Sequence, residues 1–442
     1  MAPETSETVT IASSEPTDAA PGPLIGVRVL ELGDALGLYA GKLLANLGAD
    51  VLLIEPPGGI GSRHLPPFYH DTPSSSTSLA FWYLCTSKRS VTCDVTTADG
   101  RALFDRLVAT AQVVLSGGQP GWLETLGCGF ARYGRLHPAL IWASITGFGE
   151  SGLHAGWLAP DLVGVAMSGI MILAGYPDRA PVQPPGRQGM ISASIQAAQG
   201  VLMALRVAER TGRGQQIEVS MQEALSLAQE TAMQTWDMRH ELRKRQGDAS
   251  LLPGVGTYAC ADGYVYSMVG IPGFGAPWSV LAEWMDTEGM AEDLTEDRWQ
   301  QLLGNINLRE VTRLWSDPEK LAEVQKQFRH VDEVLGRFYA RYSKQHLYEE
   351  GQGRRLLIGP VNTVRDLFEN KQLNARDWYR PVEHPELGET FSYPGPPFRM
   401  SASPWRISRR APLVGEHNVE VWGQELGHRR DQIEALMGAG VL

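Results

Sequence analysis

Short runs of consecutive apolar residues alternate, from residue 24 to beyond 220, with longer stretches whose apolar positions recur every three or four residues. "LIGVRVLELG" (24–33) is a β-branched run closed by Gly33, "YAGKLLANLG" has helical spacing, and "ADVLLIEPPGG" is apolar again up to Glu55. Together they predict a strand, a helix and a second strand. "RALFDRLVATA", "QVVLSGG" and "ALIWASITG" continue the alternation. Strands that lack a polar face belong in a parallel sheet covered on both sides, so an α/β, Rossmann-like large domain is expected. From "GRQGMISAS" (186–194) the chain runs without a breaker into "IQAAQGVLMALRVAERTGRGQ", which predicts one long helix. After "QEALSLAQETAMQTW" the pattern changes to Gly- and aromatic-rich segments such as "GTYACADGYVYSMVGIPGFGAPW", then to charged helices until about residue 350. The opening "MAPETSETVTIASSEPTDAAPGP" has almost nothing to bury and cannot offset the entropy of ordering. A disordered tail over 1–22 is therefore expected, and the change of pattern after about residue 228 marks the end of the first Rossmann-like stretch.

Composition narrows the partners. The chain has 442 residues, 43% of them apolar, enough to bury the cores of more than one domain. A net charge of −11 without a long Lys/Arg run argues against nucleic acid and against an anionic membrane surface. The absence of an uninterrupted apolar run of about eighteen residues and of a signal-peptide layout leads us to expect a soluble, cytoplasmic protein. Cys85, Cys93, Cys128 and Cys260 form neither a C-x-x-C pair nor a disulfide framework and read as packed or idle thiols. The histidines lack H-x-x-x-H spacing, so no metal site is expected. A nicotinamide-binding reading fails on its glycines. Gly33, Gly37 and Gly41 are spaced G-x-x-x-G-x-x-x-G rather than G-x-G-x-x-G, which leaves Glu55 as a surface charge at a strand end instead of a ribose-binding acid. Ser151 lies one residue outside a G-x-S-x-G elbow and reads as a loop serine.

The segments "PLIGVRVLELGDALGLYAGKLLANLGADVLLIEPPGGIGSR", "SKRSVTCDVTTADGRALFDRLVATAQVVL", "LIWASITGFGESG", "PDLVGVAMSG", "ERTGRGQQIEVSMQEAL" and "HPELGETFSYPGPPFRMSASP", followed by "APLVGEHNVEVWGQELG", stand in one order from Pro23 to the C-terminus. In that order and spacing they resemble the class III CoA-transferases, the family of formyl-CoA transferase and carnitine CoA-transferase. The resemblance implies a large domain built from both chain ends, over 23–228 and 370–442, with a small α+β domain and its linkers inserted over 229–369, and an interlocked dimer in which two subunits are threaded through each other. It also implies one aspartate that attacks an acyl-CoA thioester and passes through anhydride and enzyme-bound thioester intermediates before CoA reaches the acceptor acid.

Counted back from Thr211 or forward from Asp161, the aspartate's place falls on Met190, directly after Gly189. A thioether neither forms a mixed anhydride nor transfers a proton, so the nucleophile position is degenerate. Positions that in the family line CoA are also altered: Pro56 follows Glu55 where a basic residue is usual, Gly117 and Gly118 stand for the Asn and Phe of V-E-N-F-x-P-G, and Thr125 replaces a basic residue. Losing several charge-assisted phosphate contacts, each worth about 1.5–3 kcal/mol, would cripple CoA affinity. Arg63, Lys88 and Arg89 remain basic and are the candidates for any CoA binding that survives. Asp161, after Pro160, reads as a cap that accepts helix N–H bonds, and is the alternative nucleophile. Pro160 stands where racemases of this family carry a histidine, which argues against racemisation.

The expectation is a non-catalytic subunit of a heteromeric class III CoA-transferase, as in the two-chain benzylsuccinate CoA-transferases. It would bind no cofactor itself and would support a homologous catalytic subunit. An acyl-CoA thioester and a carboxylic acid would be the substrates of the complex. The alternatives are an active homodimer with a displaced nucleophile and a ligand-sensing pseudoenzyme.

Overall fold

The computed structural model describes residues 21–245, 247, 252–271, 274–304 and 318–442. The expected tail over 1–22 lies outside them but for its last two residues. The chain divides into a large unit, through Ile172 with Val182–Arg243 and Ala375–Leu442, and a small unit, Leu173–Pro181 with Lys244–Asn374. The expected borders at 229 and 370 thus stand beside observed ones at 244 and 375, and the excursion over 173–181 had no signal in the pattern.

In the large unit six parallel strands form one sheet: β1 (Arg28–Leu32), β2 (Asp50–Glu55), β3 (Arg89–Thr92), β4 (Val113–Gly117), β5 (Ile141–Thr146) and β6 (Gln216–Ser220), in the order β3-β2-β1-β4-β5-β6. Side chains alternate across a strand, so neighbouring residues enter different cores. Val29, Val51, Val113 and Ile141 pack in one cluster, and Leu30, Leu52, Val114 and Trp142 in the other. Helices α1 (Leu38–Asn46) and α7 (Gln188–Thr211) cover the first face; α3 (Ala98–Val108) and the C-terminal residues Trp422 and Ile433 cover the second. The edge strand β3 is sealed by the returning chain: Ser90 N donates to His417 Nδ1 at 3.2 Å, and Thr92 N to Asn418 Oδ1 at 2.9 Å. Edge pairing of that kind removes an aggregation-prone row of free amides.

The 24 residues of α7 end at Gly212, whose φ of 69° is the left-handed stop that glycine adopts without strain. Ala193, Ala197, Val201 and Ala204 bring one face of α7 close to the sheet. By length and composition α7 is apolar enough to cross a membrane, and this packed small-residue face accounts for part of that character.

Gly33 and Gly37, with φ of 110° and 106°, turn the chain from β1 into α1. A Cβ on Gly33 would sit 2.1 Å from the carbonyl oxygen of Gly117, and one on Gly117 would sit 1.7 Å from that of Leu36. The loop after β1 and the end of β4 therefore interlock at the point where the strand order reverses, the usual place for a ligand crevice in such sheets.

The small unit holds a three-stranded antiparallel sheet, β7 (Val255–Cys260), β8 (Gly263–Met268) and β9 (Ile358–Pro360), with helices that include α10 (Trp278–Thr287) and Pro318–Ala340. Its own core gathers Val265, Trp284, Val334 and Phe338.

Candidate functional site

Met190 is the third residue of α7, in its first turn, and it lines a cavity of about 390 Å³ within the large unit. Gly186, Arg187 and Ile191 complete the wall that α7 and its lead-in supply; Ala35 and Tyr39 come from the β1–α1 connection, and Ala80, Tyr83 and Leu84 from α2 (Leu79–Leu84). The Tyr39 and Tyr83 rings stack with centroids 6.0 Å apart and planes 19° apart. The lining is mostly apolar with few polar groups, as in small-molecule sites.

Asp161 begins α6 (Asp161–Met167) and is buried, but it does not cap its own helix. Its Oδ1 accepts the Met190 N–H at 3.0 Å, and its Oδ2 accepts from Gln183 Nε2 at 3.2 Å. The reading of Asp161 as an N-cap is thus corrected in its object: it satisfies the start of α7. Gly189 leaves room for this arrangement, since a Cβ there would lie 2.8 Å from Met221 Sδ and 3.0 Å from Asp161 Oδ1.

The basic residues retained from the family pattern are occupied inside the protein. Arg63 is 1% exposed and grips Glu55 with Nε–Oε2 at 2.7 Å and Nη2–Oε1 at 2.6 Å, while Nη1 donates to the Pro412 carbonyl at 3.1 Å. Lys88 is fully buried and donates to Glu31 Oε2 at 2.6 Å and to the Leu38 carbonyl at 2.7 Å. Arg89 holds Asp50 through two bonds of 2.8 and 2.6 Å and adds Glu420 and Glu425. A guanidinium with this many charge-assisted partners has little left for a phosphate, which weighs against these three as the candidates for surviving CoA binding. The reading of Glu55 is corrected: it is a fully buried partner of Arg63 and Ser90, not a surface charge.

Pro56 and Thr125 are exposed and uncharged. Gly117 is held by its close approach to Leu36, and Gly118 has a φ of 130°, a region that side-chain-bearing residues rarely enter. These two positions are backbone adaptations as well as missing side chains. Burial pushes the Cys85 and Cys93 thiols up to about 12, so both are poor thiolates. Among the described residues no three His, Cys, Asp or Glu side chains gather as a metal set.

Two cationic residues escaped the sequence reading. Arg187 is half-buried on the cavity wall, and its guanidinium has no hydrogen-bond or ion-pair partner among the described residues. Lys42, 3% exposed, donates to Thr86 Oγ1 at 2.7 Å and lies 4.8 Å from the centroid of the Tyr83 ring, with no carboxylate partner among the described residues. Burial first, then the charge of Lys88, presses its ammonium down to about 7. A lysine three residues after Tyr39 on one helix was the available signal.

Residues 24–418 match the family described as CoA-transferase family III. The chain belongs to that family. It is 32% identical over 422 residues to the succinyl-CoA:(R)-benzylsuccinate CoA-transferase subunit BbsE of Thauera aromatica, covering 94% of this chain and 97% of that one. It is 30% identical over 430 residues to the succinyl-CoA–D-citramalate CoA-transferase of Chloroflexus aurantiacus, covering 96% of this chain and 98% of the relative. Among solved structures, a CAIB/BAIF family protein from Brucella suis superposes with a TM-score of 0.76 at 27% identity, over 91% of this chain and 99% of that one. Membership makes the chain a class III CoA-transferase homologue, and enzymes of that family use CoA thioesters as substrates.

Proposed function

We propose that this chain is the non-catalytic subunit of a two-chain class III CoA-transferase that moves CoA from an acyl-CoA such as succinyl-CoA to a substituted succinate. The observation that carries the reading is Met190: it lines the cavity at the first turn of α7, where the family chemistry needs a carboxylate. Asp161 is no substitute, because both of its oxygens are engaged in holding the polypeptide at Met190 and Gln183. A relative of similar length is itself named as a subunit. Support for a partner comes from α7, whose outward residues Ile195, Leu202, Met203 and Val207 form an exposed apolar row. In this reading a homologous chain covers that row in an interlocked pair, supplies the aspartate and binds the CoA thioester, and the complex works in the cytoplasm.

The test is co-expression with a class III homologue that carries Gly-Asp at this place, followed by size-exclusion chromatography and a CoA-transfer assay. The expected result is a stable complex in which trapping with hydroxylamine labels only the partner. A stable, active homodimer from this chain alone, or a label on Asp161, overturns the reading.

A further inference from the structure

The cavity around Met190 has a volume of about 390 Å³ although the residue at its helical wall cannot react. Its lining combines one cation with apolar side chains. Arg187 supplies the cation, a guanidinium without an acceptor among the described residues. Guanidinium groups at the edge of small-molecule sites pair with planar carboxylates through two parallel hydrogen bonds. The same lining includes the stacked rings of Tyr39 and Tyr83, with Leu84 and Ile191, which offer an apolar surface. The methionine matters to this balance: an aspartate at 190 would place a negative charge inside the same cavity and repel a second carboxylate.

We infer that the Met190 cavity is a binding site, without chemistry, for a carboxylic acid that carries an aromatic or similarly flat apolar group, with Arg187 holding the carboxylate and the Tyr39–Tyr83 wall taking the ring. The inference rests on Met190 being unreactive, but not on the identity of a partner chain. Arg187 is a specificity-determining residue of this site.

Calorimetric titration of the full-length chain, alone or with its partner, tests the site with three probes: 3-phenylpropanoate, butanoate, which lacks the ring, and 3-phenylpropan-1-ol, which lacks the carboxylate. The first is expected to bind at least tenfold more tightly than either of the others. Arg187→Gln should weaken 3-phenylpropanoate at least tenfold and leave the alcohol unchanged, whereas Arg187→Lys should restore part of the loss. Met190→Asp should weaken the acid and not the alcohol, a signature that a merely structural change would not give. Equal binding of acid and alcohol, or an unchanged acid affinity in Arg187→Gln, overturns the inference. Because the titration needs no CoA transfer, a failed transferase complex does not register in it, and the two readings fall separately.

Discussion

Two sets of cations in the large unit serve opposite ends. Arg63, Lys88 and Arg89 each meet a carboxylate at 2.6 Å and are sealed by the returning C-terminal segment or the sheet. Arg187, on the wall of the Met190 cavity, and Lys42, against the Tyr83 ring, have no carboxylate among the described residues. Taking a charge out of water costs several kcal/mol, which the first set offsets with ion pairs and carbonyl bonds. The second set is offset only in part. An unoffset cation beside a cavity is a place for a ligand to make up the difference, whereas a paired one fixes chain segments that lie far apart in sequence.

The largest way to test this contrast is to break a sealed pair. Arg63→Met leaves Glu55 buried without its cation, and removing one partner of such a pair typically costs about 3–5 kcal/mol. Urea denaturation should show the unfolding free energy falling by that amount, through a lower midpoint with an unchanged slope. A loss under about 1 kcal/mol would mean that the pair is not sealed from water, because exposed pairs are worth no more than that.

Lys42→Met should act with the opposite sign. The folded protein holds this amine at about 7 while the unfolded chain holds it near 10.5. Between those values the unfolded state binds more protons, so the protein with lysine gains stability as pH rises from 7 toward 10.5 and stands at its lowest below 7. Each tenfold loss of proton affinity on folding costs about 1.4 kcal/mol while the amine is charged in the unfolded chain. With the lost Thr86 bond set against that cost, the methionine variant should be more stable at pH 7 by on the order of 3 kcal/mol, and the advantage should vanish near pH 10.5. Thermal melts across that range check it. A gain independent of pH would assign the effect to packing rather than to charge.

How much of this was readable beforehand depended on distance along the chain. The strands and the long helix follow from local periodicity, and the family resemblance, counted without a gap along that helix, points to Met190; neither step needs knowledge of tertiary partners. The fate of the charges does not. Lys88 meets Glu31 across 57 residues, Arg89 meets Asp50 across 39 and Glu420 across 331, and no local pattern announces those meetings. Glu55 looked like a surface charge because it ends a strand, and Asp161 looked like a cap of the helix it begins. Burial by the C-terminal return and by α7 decided otherwise. The partnerless Arg187 was invisible for the same reason: an absence of acceptors is a property of the folded surroundings.

Gly117→Asn restores the residue type found in the family and should still be destabilising. Its Cβ would meet the Leu36 carbonyl at 1.7 Å, so the loop after β1 must move, and overpacking of this kind costs about 1–3 kcal/mol. The same displacement would carry Ala35 away from the cavity edge, so acid binding should weaken along with the melting temperature. A neutral Asn variant would mean that the β1–α1 loop yields easily and that the glycine is not held by packing.

Arg187→Gln should have the smallest effect on folding and a clear one on the ligand, and that separation is what divides the two sets of cations. A half-buried side chain without partners among the described residues contributes little to the native state, so the change in stability should stay within about 0.5 kcal/mol. The sealed arginine behaves in the reverse way, since Arg63→Met loses stability before any ligand is added. If Arg187→Gln instead unfolded the protein as Arg63→Met does, the guanidinium would have an internal partner and the cavity would lose its claim on an acid. If it left both stability and acid affinity untouched, the carboxylate would be held elsewhere. A loss confined to the titration, with coincident melting curves for variant and parent, assigns Arg187 to the ligand alone.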